Sequence, residues 1–150
     1  MTATVPTQAQ TLPTEWRDYF ALETQLAASG MVDVLAHPDQ IKYWGIRPAA
    51  DVMEQLYPPV VEAAARSSVA IEVSSAGLRR EAAEVYPAPS FLAKFAAAGV
   101  PITLASDAHV PDLAAWGHEA VVAAAKAAGY ETYLRFDQRR ASAAPLTLDG

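Results

Sequence analysis

Asp107 and His109 stand one residue apart in the segment Ser106-Asp107-Ala108-His109, directly after the apolar run Pro101 to Ala105. In an extended segment that spacing points both side chains the same way. A carboxylate and an imidazole so placed suit Zn²⁺, Mn²⁺ or Fe²⁺. The same pair also suits a carboxylate orienting a histidine for acid–base work. Ser106 or Asp107 ahead of a helix equally reads as an ordinary N-cap. His37 follows a second apolar run, VDVLA, and precedes Pro38 and Asp39. It reads as a metal ligand at a strand end or as a half-buried histidine bonded to a loop carbonyl, with Asp39 orienting it or starting a turn. Glu72 interrupts a third run, VAIEV. A carboxylate there either serves a polar site or faces outward, because burial without a partner is costly. Arg79, Arg80 and Lys42 lie on nearby loops, where they read as phosphate-binding cations or as solvated charge. His118 reads as a plain helix residue, and Trp16, Tyr19, Trp44 and Trp116 read as packing.

These residues need elements to hold them. Trp16, Tyr19, Phe20, Glu23 and Leu26 recur at helical spacing after Thr14, an N-cap candidate, and the helix is expected to stop near Gly30. Strands are expected at Val32 to Ala36, Val69 to Val73, Pro101 to Ala105 and Glu131 to Phe136. Helices are expected at about 49–67, broken near Pro58-Pro59, at 89–98 and, as one long element, at 111–128. Strand and helix alternate with a period of about 35 residues, the signature of a parallel sheet. Three strands end in polar residues, HPD, EVSSAG and SDAH, and the carboxyl ends of strands are where such folds build sites. The expected organisation is a disordered polar leader over 1–13, one domain over 14–136 and a loose tail over 137–150, with a short strand at PLTL.

Composition narrows the function classes. The chain has 150 residues, 52% of them hydrophobic, and a formal charge of −6. An acidic chain without a basic stripe does not favour the phosphate backbone of nucleic acids. No run of about 18 uncharged apolar residues is present, so no membrane span is expected. The first fourteen residues do not form a secretory signal, and a cytoplasmic location is expected. There is no cysteine, which excludes disulfides, thiolate metal sites and a thiol nucleophile. Walker-type loops, G-x-S-x-G and H-E-x-x-H are also absent.

The ordered series DVLAHPDQIKYWG, IEVSSAGLRREAAEVYPAPSFLAKFAAAGVPITLASDAH and an Ala-rich helix ending in AAGY resembles the carboxyl-terminal half of PHP-family phosphoesterases. It is most similar to their histidinol-phosphatase branch, over residues 15 to 136. The resemblance implies an α/β fold that is part of a distorted (β/α)7 barrel, its carboxyl-terminal βα units only. It implies divalent metals at the strand ends and water-driven hydrolysis of a small phosphate ester. By motif, His37, Asp107 and His109 are the expected metal ligands. Arg79 and Lys42 are expected near the phosphate, and Glu72 with Ser74 and Ser75 is expected to line the pocket. No acid–base residue is assigned.

The family's opening His-x-His motif, its Glu ligand and its further His ligands have no counterpart here, where the histidines are 37, 109 and 118. The resemblance therefore also carries the expectation of a truncated enzyme, inactive alone. A half barrel leaves strand edges open, so self-association or a complementing chain is expected. The alternative is a non-catalytic remnant that binds metal or a protein partner. A third role, as a PHP module working on DNA, is disfavoured by the acidic charge.

Overall fold

The computed structural model describes residues 13–148. The expected leader over 1–13 lies outside them except for Pro13, which precedes the first helix. The elements run α1 (Thr14–Ala28), β1 (Val34–Leu35), α2 (Ala50–Ser67), β2 (Ala70–Ser74), α3 (Pro89–Ala97), β3 (Ile102–Ala105), α4 (His118–Ala128), β4 (Thr132–Asp137) and β5 (Arg140–Pro145). The first three strands form a parallel sheet in the order β1-β2-β3. Leu35 pairs with Ile71, and Ile71 pairs with Ile102, so one apolar row crosses the sheet. Such strands are buried on both faces when helices make the crossovers.

The core lies under α1, α2 and α3. Tyr57 stacks on Phe91 with ring centroids 4.2 Å apart, and Phe91 in turn packs on Phe95 at 4.5 Å. Phe20 of α1 reaches Phe91 at 5.8 Å. These rings close over Leu35, Ile71, Val73 and Ile102 of the sheet, all fully buried. On the far side α4 contributes Val121, Val122 and Ala125.

Three expectations need correction. The helix around Pro58-Pro59 is not broken: α2 continues through both prolines. Both face solvent, as do Glu54 and Gln55, whose carbonyls lose their i→i+4 donors, while Leu56, Tyr57, Val60 and Val61 pack inward. Water can serve the freed carbonyls, and burial of the other face holds the helix.

The long helix over 111–128 is the second. A short 3-10 turn at Pro111–Leu113 is followed by left-handed backbone at Ala115 (φ 58°) and Gly117 (φ 71°), and α4 starts only at His118. Distant side chains take the main-chain groups of this stretch. Ser106 Oγ accepts from the Ala115 N–H at 3.2 Å, and Ser75 Oγ donates to the Trp116 carbonyl at 2.5 Å. A β-carbon on Gly117 would stand 2.8 Å from Ser75 Cβ, so glycine is required there.

The third lies in the expected loose tail. Residues 140–145 form β5, paired antiparallel with β4 from Thr132↔Pro145 to Asp137↔Arg140. The tight turn uses left-handed backbone at Gln138 and Arg139, as two-residue hairpin turns do. Among the described residues no helix is long and apolar enough to cross a membrane.

Candidate functional site

The carboxyl ends of β1, β2 and β3 bring four of the expected residues into one corner. His37 follows β1 with a left-handed backbone (φ 29°), and Asp107 follows β3 with another (φ 50°). Left-handed conformations at residues other than glycine cost energy and gather at functional sites. The His37 N–H donates to Glu72 Oε1 at 3.2 Å, tying the β1 loop to the middle of β2. Burial raises the Glu72 carboxyl above its ordinary range, His37 pulls it down, and the Asp107 carboxylate pushes it up. Glu72 is therefore neither outward-facing nor fully buried. It is the acidic floor between His37 and Asp107.

Arg79 closes the corner. It ends a 3-10 turn, Ser75–Arg79, that follows β2 directly. One guanidinium nitrogen, Nη2, donates to the Ser106 carbonyl at 2.8 Å and approaches the Asp107 carbonyl at 3.4 Å. The guanidinium lies 5.0 Å from the Trp116 ring centroid, so Trp116 supports a cation rather than merely filling space. The other terminal nitrogen, Nη1, is buried and has no partner among the described residues. Neighbouring Arg80 is exposed and rests over Tyr43 at 4.7 Å.

Other expected residues are elsewhere or otherwise engaged. Lys42, expected near phosphate, is 3% exposed and spends all three N–H donors inside the protein. They reach Asp39 Oδ2 at 2.9 Å, Glu84 Oε1 at 2.6 Å and the Val85 carbonyl at 3.1 Å. The geometry makes it a structural ion and leaves no donor for a phosphate. Asp39 does not bond the His37 ring; besides Lys42 it accepts from the Ala88 N–H at 2.8 Å. Burial raises the Asp39 carboxyl, while Lys42 and that N–H pull it back. His109 is exposed, and its Nδ1 lies 2.8 Å from the Asp107 carbonyl oxygen. Ser74 Oγ accepts from the Ala76 N–H at 3.2 Å, and Ser75 Oγ is held by Trp116. His118 opens α4 and lines a cleft of about 330 Å³ that adjoins the corner through Ser106 and Trp116.

Among the described residues no three of His, Asp and Glu converge tightly enough to hold an ion. The donor types fit a divalent metal, but their arrangement in this chain does not complete a site for one.

Sequence reasoning missed two members of the corner. Tyr86 is 1% exposed and stands edge-on to the His37 ring, with centroids 6.3 Å apart. Trp116 carries Arg79. Neither has a spacing signal, since both reach the corner from segments distant in sequence.

The molecule is thus a mixed α/β protein with a small parallel sheet and a polar corner at its strand ends. It is similar, at 37% identity over 97 residues, to a protein of Deinococcus radiodurans named a probable histidinol-phosphatase. The match takes in 64% of this chain and 36% of that protein, so the chain spans little more than a third of its curated relative. No family model matches the chain.

Proposed function

We propose that this chain carries the carboxyl-terminal βα units of a PHP-type phosphoesterase and supplies part of a site that hydrolyses a small phosphate monoester, histidinol phosphate first. The observation that carries the reading is the strand-end corner, where Arg79 keeps a buried donor free beside Glu72, His37 and Asp107. The similarity to a probable histidinol-phosphatase supports the same substrate class. Arg79 binds the ester phosphate, and Trp116 holds the guanidinium in place. Divalent metal belongs to this reading as a cofactor, with His37, Asp107 and His109 as this chain's candidate ligands. Further donors must then come from outside the set gathered here.

The outer edge of β1 supports a complementing chain or a second copy as their source. Among the described residues nothing pairs with that edge. Met31, Trp44 and Ile46 stand exposed on the loops either side of β1. The test is phosphate release from histidinol phosphate by this chain mixed with a complementing chain that carries the His-x-His and further ligands, with added Mn²⁺, Zn²⁺ or Fe²⁺. Activity that disappears in Asp107→Ala and Arg79→Gln is the expected result. Turnover unaffected by both changes would overturn it.

The second reading is a non-catalytic remnant that binds metal or a protein partner. The lack of three convergent ligands among the described residues favours it. Phosphate binding without turnover under any metal would select it.

A further inference from the structure

Four buried side-chain atoms lack a hydrogen-bond partner among the described residues: Glu23 Oε2, Asp39 Oδ1, Arg79 Nη1 and Tyr86 Oη. The carboxylate oxygens of Glu23 and Asp39 are acceptors. Arg79 Nη1 and the Tyr86 hydroxyl are donors; Arg79 ends the turn that follows β2, and the Tyr86 main chain bridges Ser74, the last residue of β2. Tyr86 is locked there by its main chain, which exchanges two hydrogen bonds with Ser74 at 2.8 and 3.0 Å. Its ring packs so near Gly77 that a β-carbon there would meet Cε1 at 3.2 Å. Gly77 and Arg79 share one 3-10 turn. The hydroxyl is a donor, as a phenol is at neutral pH. Buried donors are nearly always paired, and two open ones at one strand end can be served by water or by a ligand made of acceptors. A phosphate group has only acceptor oxygens, and its charge matches the guanidinium.

We propose that the Tyr86 hydroxyl is a phosphate-binding group that acts together with Arg79 Nη1 at the carboxyl end of β2. The inference rests on the phosphate reading of the corner and adds to it a residue that no spacing in the sequence singles out.

The experiment is calorimetric titration of the 150-residue chain with inorganic phosphate, for the unchanged protein, Tyr86→Phe and Arg79→Gln. Melting is recorded for each in phosphate-free buffer. Removing one hydrogen bond to a charged acceptor is expected to weaken binding about tenfold in Tyr86→Phe. Its melting temperature without phosphate should stay level or rise, because the change deletes an unpaired hydroxyl. Arg79→Gln should lose binding altogether. Unchanged phosphate affinity in Tyr86→Phe, with binding lost in Arg79→Gln, would overturn the Tyr86 assignment and leave the phosphate reading standing. A lowered melting point with unchanged affinity would assign the hydroxyl to an internal water bridge towards Asp39 instead. No binding by the unchanged protein, or full binding by Arg79→Gln, would remove the phosphate reading itself and Tyr86 with it.

Discussion

Lys42 and Arg79 are both cations on loops that follow strands of the same sheet, yet the fold uses them in opposite ways. Around Lys42, every donor of the ammonium is taken by Asp39, Glu84 or the Val85 carbonyl. Arg47 adds a second cation to Glu84 at 3.0 Å. This knot binds the His37 loop to the segment before α3. Around Arg79, the guanidinium leans on Trp116, bonds two main-chain carbonyls and keeps Nη1 unpaired. A buried charge is tolerated when its bonds are complete, and an incomplete set leaves a donor open to water or a ligand. The contrast separates a saturated ion from an open one of the same sign.

The comparison can be broken most forcefully at Lys42. Lys42→Ala leaves Asp39 buried and stripped of its cation, and a loss of about 3–5 kcal/mol is expected in urea unfolding. Phosphate affinity measured on the folded fraction should not move. The reverse pattern, intact stability with lost phosphate binding, would make Lys42 the binding ion after all.

The knot's outer wall sharpens the comparison through pH. Burial pushes the Glu23 carboxyl up to about 7; the Tyr19 hydroxyl pulls it back and Asp39 adds to the push. A carboxyl raised on folding contributes stability in full below its unfolded value, near 4.5, and that stability is lost as pH rises to about 7. Stability should therefore fall by roughly 2–3 kcal/mol over that window and then level off. Glu23→Gln should flatten the slope, as chemical denaturation at stepped pH would reveal. An unchanged slope would place the titration elsewhere.

Arg79→Gln should cost less, about 1–2 kcal/mol, since it gives up main-chain bonds and a ring contact but strands no opposite charge. Loss of stability as large as at Lys42 would make Arg79 a second structural ion. The exposed Arg66–Glu62 pair on α2 supplies the baseline. Arg66→Ala should shift the unfolding midpoint by an amount worth less than about 0.5 kcal/mol.

Much of the fold was legible in the sequence. The alternation of apolar runs and helical faces located α1, α2, α3 and the three parallel strands within a few residues, because burial writes its period into the chain. Gly99 and Gly129 marked helix ends through a backbone that β-carbons resist. The region after β3 was not legible. Its Ala-rich pattern suits a helix throughout, and the break at Ala115–Gly117 depends on hydroxyls of Ser75 and Ser106 that arrive from other strands. Gly117 was the one local sign. The β4–β5 hairpin was half legible: the alternation of Glu131 to Phe136 identified β4, while the small residues of β5 have no pattern apart from their partner strand.

The sequence by itself determined an acidic, cysteine-free α/β chain with His37 and Asp107 just past strand ends and Glu72 within a strand, since residue type and spacing are local properties. Only the tertiary structure decided which cation is saturated and which is open, that Trp116 carries Arg79, and that Tyr86 stands beside His37. Those outcomes depend on which distant groups share a buried volume, and hydrogen-bond completeness is a property of that volume, not of any stretch of chain.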